Sequence, residues 1–213
     1  MFKTPAMLVS AALILAMAAG GFWALGKLPP GATIAVHFAA DGTPNGWAHA
    51  SVGLFILPVA AALTTALAFI LPRIDPRGQN LQISAKPVQT IFAALNATLA
   101  LFQYYLIKSA LGAHFATMTV VALAIGLLFV VIGNVMGKLR WNYTVGIRTP
   151  WTLDNERVWD KTHRFAGWLF VAGGLLLMAI ALAAPVKPAM FAAITTIMVI
   201  LPIGQSYLLW RKQ

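Results

Sequence analysis

The stretch from Gly133 to Gly167, GNVMGKLRWNYTVGIRTPWTLDNERVWDKTHRFAG, decides the fold because of what lies on either side of it. Residues 116–136 run into its start, residues 165–184 continue from its end, and both runs are apolar. About 20 apolar residues let a helix cross the ~30 Å hydrocarbon layer of a membrane. The stretch itself is rich in charged, aromatic and turn-forming residues. We therefore predict two transmembrane helices joined by a long polar loop, and we expect recognition to occur in that loop.

The composition of the whole chain places it in a membrane. Hydrophobic residues make up 60% of the 213 residues, charged residues make up 9%, and the mean hydropathy is +0.82. A soluble core of this size could not bury so much apolar surface. The runs long enough to span a bilayer are residues 7–25, 51–71, 88–107, 116–136, 165–184 and 189–209. The predicted fold is an all-α, polytopic membrane helix bundle of six transmembrane helices, a single membrane domain over residues 1–213 with an external loop module at 26–50 and a signature loop at 133–167.

Basic residues predict the orientation of the spans. If Lys3 lies inside, twelve of the 15 Lys and Arg residues are cytoplasmic, and Lys27, Lys108 and Lys187 are outside. Short basic loops resist translocation, so both termini and the signature loop are predicted to be cytoplasmic. The net charge of +10 is therefore mainly a topology signal. Because the cations are spread over separate segments, we expect a lipid bilayer and no direct nucleic-acid partner.

The first span has two interpretations. Lys3, the apolar core and the small residues at 16–19 are typical of a cleavable signal peptide. The apolar run continues through Phe22 and Trp23, however, and is long enough to span, so we predict that it is retained. The other spans keep their orientation in either case.

Residue content argues against several chemistries. The absence of cysteine excludes disulfides, thiolate nucleophiles and Cys-type zinc sites. No Asp, Glu, Lys or Arg lies in the middle of a predicted span, and proton-coupled transporters usually rely on such groups. We therefore expect neither a coupled transporter nor a cofactor.

Polar groups within the third span predict an interior face. Gln89, Asn96 and Gln103 recur every seven residues, which places the three amides on one side of a helix. That side is expected to point into the bundle and to fix the helix rotation, and a substrate path is the alternative. Pro58 and Pro202, in the second and sixth spans, each free a backbone carbonyl that neighbouring helices must satisfy.

His37, Asp41 and Trp47 are the candidate residues of the external loop. His37, Asp41 and also His49 carry ligand types that zinc accepts, but their spacing matches no strong motif. Alternatively, Asp41 and residues 44–46 form consecutive turns, with Trp47 at the membrane interface. We favour the turns and predict no metal site.

The start of the signature loop combines close packing with an interfacial anchor. The GxxxG spacing of residues 133–137 lets another backbone approach closely, and Asn134 could hydrogen-bond into that contact. Lys138 and Arg140 are followed by aromatic residues including Tyr143, a mixture that suits lipid headgroups and the interface.

The rest of the loop is predicted to fold back against the bundle. Val145, Ile147, Trp151 and Leu153 are too apolar for a freely solvated linker. A helix is expected to restart near Asp154, whose carboxylate can cap free N–H groups, and to run on into the fifth span.

His163 has a catalytic and a structural interpretation. Asp160, three residues earlier, could orient its imidazole for acid–base chemistry, and Trp159 shares its helical face. No nucleophile or recognised metal spacing accompanies it. We therefore favour a structural histidine and predict no catalytic residue.

These elements together resemble the SdpI-type immunity protein family. Its signature can be followed as GN at 133–134, GK at 137–138, Arg140, NY at 142–143, GIRTPWTL at 146–153, Trp159, THR at 162–164 and Gly167. Residues 28–47, LPPGATIAVHFAADGTPNGW, resemble the uncharacterised N-terminal module often joined to that signature.

The resemblance implies a non-enzymatic, multi-pass protein of the bacterial cell (inner) membrane that gives resistance to a secreted antimicrobial peptide toxin. It also implies that, in some members, the protein holds a repressor protein at the membrane as part of signal transduction. The loop residues expected to bind are Asn134, Lys138, Arg140, Asn142, Tyr143, Arg148, Thr149, Trp151, Trp159, His163 and Arg164. The alternative is a membrane-embedded enzyme, or a protein that binds lipid headgroups or small molecules through the Arg and His residues of this loop.

Overall fold

The computed structural model describes residues 5–39 and 41–213; Lys3, which enters the predicted orientation, lies outside them. The elements in chain order are α1 (Pro5–Leu25), β1 (Thr33–Phe38), β2 (Pro44–His49), α2 (Ala50–Ile74), α3 (Gly78–Ile83), α4 (Ala85–Ala110), α5 (Thr117–Met136), α6 (Pro150–Asp154), α7 (Glu156–Ala183) and α8 (Pro188–Arg211).

Six of these helices, α1, α2, α4, α5, α7 and α8, are long and apolar enough to cross a membrane. The prediction of a polytopic helix bundle with six spans is therefore confirmed. The helices extend beyond the apolar runs, most of all in α7, which begins at Glu156, close to the restart predicted near Asp154 and nine residues before the fifth apolar run. Asn155 caps this start, because its side-chain oxygen accepts from the N–H groups of Arg157 and Val158.

A β-hairpin joins α1 to α2. β1 and β2 pair antiparallel, with Thr33 opposite His49 and Phe38 opposite Pro44. The turn at Asp41 forms as predicted, but residues 44–46 lie in β2, so the prediction of a second turn there is wrong. Cross-strand hydrogen bonds satisfy the backbone that a second turn would otherwise have satisfied locally.

The hairpin and the signature loop lie at opposite ends of the bundle. At one end, Phe38 of β1 packs edge-on against the ring of Tyr105 near the end of α4. The Tyr105 hydroxyl in turn lies 2.8 Å from that of Thr117 at the start of α5. The signature loop instead joins the end of α5 to α7 and contacts the connection between α2 and α4.

Helices α5 and α7 pack backbone against backbone through facing glycines. A Cβ on Gly133 would lie 2.6 Å from the carbonyl oxygen of Gly167, and one on Gly174 would lie 2.5 Å from that of Gly126. Real Cβ atoms do not tolerate such distances, so these positions require glycine. Small residues serve this purpose in membrane helices because dispersion contacts, not water exclusion, hold the helices together.

The amides of α4 point into the bundle. Gln89, Asn96 and Gln103 are each at most 3% exposed. The Nε2 group of Gln103 donates to the carbonyl of Leu54 at 2.9 Å, which is the carbonyl that Pro58, four residues later, deprives of its helical partner. The amide of Gln103 therefore satisfies the carbonyl that Pro58 leaves without a helical partner in the neighbouring span.

Asn96 ties α4 to α2 a second time. Its Oδ1 accepts from the hydroxyl of Thr64 at 2.6 Å, and its Nδ2 donates to the hydroxyl of Thr65 at 2.7 Å. Gln89 differs, because its Nε2 is buried without a partner in the described part of the chain. It borders a cavity of about 260 Å³ together with Pro72, which frees the carbonyl of Ala68 in the same wall.

Candidate functional site

The signature loop is a folded unit, as its apolar content predicts. Leu139 and Val145 are buried, and they belong to one cluster with Val88 and Phe92 of α4 and Phe170 of α7. The loop therefore closes one end of the bundle.

Asn142 organises the first half of the loop. Its side chain is fully buried, and its Nδ2 donates to the carbonyls of Arg140 at 2.8 Å and Val145 at 3.0 Å. Its Oδ1 accepts from the backbone N–H groups of Thr144 and Val145 at 2.9 and 2.7 Å. Because all these bonds lie within the loop, the Asn142 side chain stabilises the turn instead of contacting a ligand.

His163 holds the second half of the loop to α7. Its Nε2 accepts from the backbone N–H of Ile147 at 2.9 Å, and its Nδ1 lies 2.8 Å from the carbonyl of Trp159. A carbonyl can only accept and an amide N–H can only donate, so the two contacts fix a neutral imidazole with its proton on Nδ1. The ring is 1% exposed and stacks on that of Trp159. Asp160 does not orient it, which removes the catalytic interpretation that rested on that pair.

Gly146 leaves room for this histidine. It has a φ of +129°, and a Cβ there would lie 2.4 Å from Nε2 of His163. Trp159 is fully buried below it and donates from Nε1 to the carbonyl of Leu139 at 2.8 Å. Gly146, Trp159 and His163 of the signature therefore pack directly against one another.

Thr149 begins a short helix that the sequence did not predict. Its hydroxyl accepts from the N–H of Thr152 at 3.2 Å, and its own N–H donates to the hydroxyl of Thr152 at 2.9 Å, a reciprocal cap for α6. The Thr149 hydroxyl also lies 3.0 Å from that of Ser206 in α8. The ring of Trp151 packs against Tyr207 of the same helix.

The expected cap at Asp154 is wrong. Asp154 is the last residue of α6, and its carboxylate accepts from Nε1 of Trp210 at 2.7 Å. The chain leaves the helical conformation at Asn155, so the side-chain oxygen of Asn155, and not that of Asp154, accepts from the first N–H groups of α7.

Asp75, which sequence analysis missed, links the α2–α3 connection to the signature loop. Its Oδ2 accepts from the N–H of Tyr143 at 3.0 Å and from the hydroxyl of Thr144 at 2.9 Å, and its Oδ1 accepts from the N–H of Arg77 at 2.7 Å. The side chain is 6% exposed. A buried carboxylate with three donors is a strong tie between segments that lie far apart in sequence.

Arg77 lies on the aromatic residues of the loop. Its guanidinium carbon is 3.1 Å from the ring centroid of Trp141 and 4.4 Å from that of Tyr143. Its Nη1 is buried without a hydrogen-bond partner in the described residues, so the ring faces replace water around this cation. Asn80 and Ser84 of the same connection bond the backbone of Trp141 and Arg140, respectively.

The remaining signature residues are exposed. Arg148 donates from Nη1 to the carbonyl of Tyr143 at 3.2 Å and otherwise faces outward. Asn134 is exposed at the α5–α7 seam and makes no side-chain hydrogen bond within residues 5–39 and 41–213, so the predicted bond into the glycine contact is absent there. Lys138, Arg140 and Arg164 are exposed as well. The loop therefore presents an outward basic surface on a rigid interior.

The external candidates lie on the hairpin. His37 pairs with Asn45 through its Nδ1, and Trp47 is 62% exposed on β2. Hydrogen bonds from Thr43 hold the pKa of Asp41 below its usual value. Among residues 5–39 and 41–213, no group of three or more His, Asp or Glu side chains is placed to hold a metal ion.

Comparison with known proteins gives matches in both halves of the chain. Residues 12–62, which contain most of α1, the hairpin and the first half of α2, match a domain of unknown function, DUF1648. Immunity protein SdpI of Bacillus subtilis (strain 168) is 28% identical over 127 residues, and the match covers 58% of this chain and 58% of that relative. No solved structure matches the chain. Residues 138–207, from the signature loop to α8, match the SdpI/YfhL protein family, so the resemblance predicted from the loop is confirmed over that segment.

Proposed function

We propose that the chain is an integral membrane immunity protein that protects a bacterium from a secreted antimicrobial peptide toxin without acting as an enzyme. The similarity to an immunity protein carries this proposal. The buried, hydrogen-bonded signature supports it, because the loop residues that define the resemblance are the ones that build a folded end on the bundle.

We further propose that the signature end faces the cytoplasm of the bacterial cell and that the hairpin faces outside. Twelve of the 15 Lys and Arg residues fall on one side in this arrangement. A secreted peptide would then meet the hairpin end first, and a cytoplasmic repressor protein would meet the basic signature surface.

Helix α2 offers a physical connection between the two ends. It follows β2 directly, and Gly53 in its first turns lies so close to the hairpin that a Cβ would be 2.9 Å from side-chain carbons of Ile34 and Val36. Its other end leads into Asp75, which holds the signature loop. A displacement of the hairpin would therefore act on the loop through a single helix.

The orientation predicts the labelling of two introduced cysteines in a chain that has none of its own. His114, between α4 and α5, and Glu156, at the start of α7, are both exposed. In intact cells, His114→Cys should react with a membrane-impermeant maleimide, and Glu156→Cys should react only after permeabilisation. Equal reaction of both variants in intact cells would contradict the orientation.

Arg148 is the residue that we propose for contact with a partner. Lysine keeps the charge, and hence the topology signal, but lacks the planar guanidinium that can donate several hydrogen bonds to one carboxylate or phosphate. Arg148→Lys should insert at normal abundance and protect a sensitive host less well, and Arg148→Ala should protect still less. Arg157→Lys is the matched control, since Arg157 is exposed in the same part of the chain. Full protection by the Arg148→Lys variant would show that charge alone matters.

A further inference from the structure

Two adjoining cavities open at the signature end, beside the residues that join α5 to the signature loop and the first turns of α7. The first has a volume of about 500 Å³ and is lined by Lys138, Arg140, Asp160 and Arg164. The second has a volume of about 360 Å³ and shares Lys138 and Arg164 with the first, but it continues along the transmembrane helices. We call the two together the seam groove.

The charges in the seam groove are not neutralised within the protein. Its three cations face one carboxylate, that of Asp160, which leaves an excess of two positive charges. None of these four side chains makes a hydrogen bond or ion pair within residues 5–39 and 41–213. Arg164 is brought to the groove by Gly137, where a Cβ would lie 3.3 Å from its Cγ. The groove therefore suits an anion, and Lys and Arg together suit a phosphate.

The walls of the second cavity are apolar. Gly133 and Gly167 form its floor where the two backbones meet, and Val171 continues it along α7. Trp168 borders it with 80% of its surface exposed, as is common for indole rings at the level of lipid headgroups. A free phosphate ion would leave this part empty, whereas a phosphate that carries an acyl chain would fill both parts.

We propose that the seam groove binds one molecule of an anionic phospholipid of the phosphatidylglycerol type. The phosphate lies among Lys138, Arg140 and Arg164, and a headgroup hydroxyl donates to the carboxylate of Asp160. An acyl chain follows the glycine seam toward the membrane interior. The excess positive charge is the reason for an anionic lipid, and the unpaired carboxylate is the reason for a headgroup that carries hydrogen-bond donors.

The test uses the full-length protein in detergent micelles titrated with phosphatidylglycerol or with phosphatidylethanolamine, with binding followed by native mass spectrometry. We expect at least one phosphatidylglycerol molecule to be retained preferentially. Replacing both Lys138 and Arg164 by glutamine should weaken its binding by about 30-fold, because each cation near an anionic headgroup contributes about fivefold. Inorganic phosphate should not displace the lipid.

The matched control replaces Arg157 and Lys161, which are exposed and lie outside the groove, by glutamine. It removes the same charge and should leave lipid binding unchanged. Equal loss in both double variants would overturn the site, and so would equal retention of phosphatidylethanolamine or displacement by phosphate. If the double variant melts at a lower temperature than the wild type, Lys138→Gln alone provides the comparison, and an unchanged affinity there would also overturn the proposal.

Discussion

Gly133→Ala should destabilise the bundle strongly, whereas the same exchange at an exposed helical glycine only adds a methyl group in open space. The new Cβ would lie 2.6 Å from the carbonyl oxygen of Gly167 and 2.8 Å from the backbone nitrogen of Val171. Backbone atoms cannot rotate away as a side chain does, so α5 and α7 must separate. We expect a loss of about 3 kcal/mol of folding free energy, at the upper end for added atoms in packed cores.

Gly204→Ala is the matched control for this prediction. Gly204 lies in α8, and no atom is found within 4 Å of the position that its Cβ would take. Alanine is intrinsically better than glycine in a helix by up to about 1 kcal/mol, so this variant should be as stable as the wild type or more stable. Thermal melts of both proteins in the same detergent give the comparison. Equal melting temperatures for the Gly133→Ala variant and the wild type would show that the seam is looser than described.

Asp75→Asn should release the signature loop from the α2–α3 connection. The amide has nearly the same size, but its NH₂ group accepts no hydrogen bond, so it leaves without an acceptor either the N–H of Arg77 or both the N–H of Tyr143 and the hydroxyl of Thr144. Bonds to a buried charged acceptor contribute about 1.5–3 kcal/mol each, so we expect a cost of about 3 kcal/mol. Hydrogen exchange should accelerate in the signature loop before it accelerates in the spans.

Asp154→Asn separates this effect from a general loss of negative charge. Asp154 is exposed and accepts a single bond from Nε1 of Trp210, which an amide oxygen can also accept. The Asp154→Asn variant should therefore exchange hydrogen like the wild type. Slow exchange of the loop in the Asp75→Asn variant would contradict the role given to Asp75.

The spans could be predicted from sequence because hydrocarbon imposes one requirement on every helix that crosses it. Each apolar run identified a helix, and the ends of α1 and α5 lie within two residues of the predicted positions. The burial of the three amides of α4 could also be predicted, since a period of seven residues keeps Gln89, Asn96 and Gln103 on one side of the helix. The start of α7 at Glu156 lies two residues from the restart predicted near Asp154, although the capping residue was predicted wrongly.

The hairpin could not be predicted from turn residues alone. Pro44 and Asn45 are typical of turns, yet they lie in a strand because β1 provides partners for their neighbours. Gly46 faces His37 so closely that a Cβ would lie 2.9 Å from the histidine Cβ. In a local sequence window, a glycine needed for cross-strand approach looks the same as one needed for a turn.

The anchoring of the signature loop depends on contacts that no local pattern encodes. Asp75 and Thr144 are 69 residues apart, and Asn80 and Trp141 are 61 apart. One signal in the sequence could have indicated this anchor: Asp75 is the carboxylate between the basic residues Arg73 and Arg77 of the α2–α3 connection. The aromatic and basic character of the loop predicts membrane anchoring, and the contact of the partly buried Trp141 ring with Arg77 could not be predicted from it.

The central claim is protection from a secreted peptide, and survival of a sensitive bacterial host measures it most directly. The host should carry the chain and be exposed to candidate secreted antimicrobial peptides. The account predicts that wild-type protein raises survival, and that the Gly133→Ala variant, compared at equal membrane abundance, raises it less. Survival no better than that of the host alone, with the wild-type protein abundant in the membrane, would contradict the proposed immunity function.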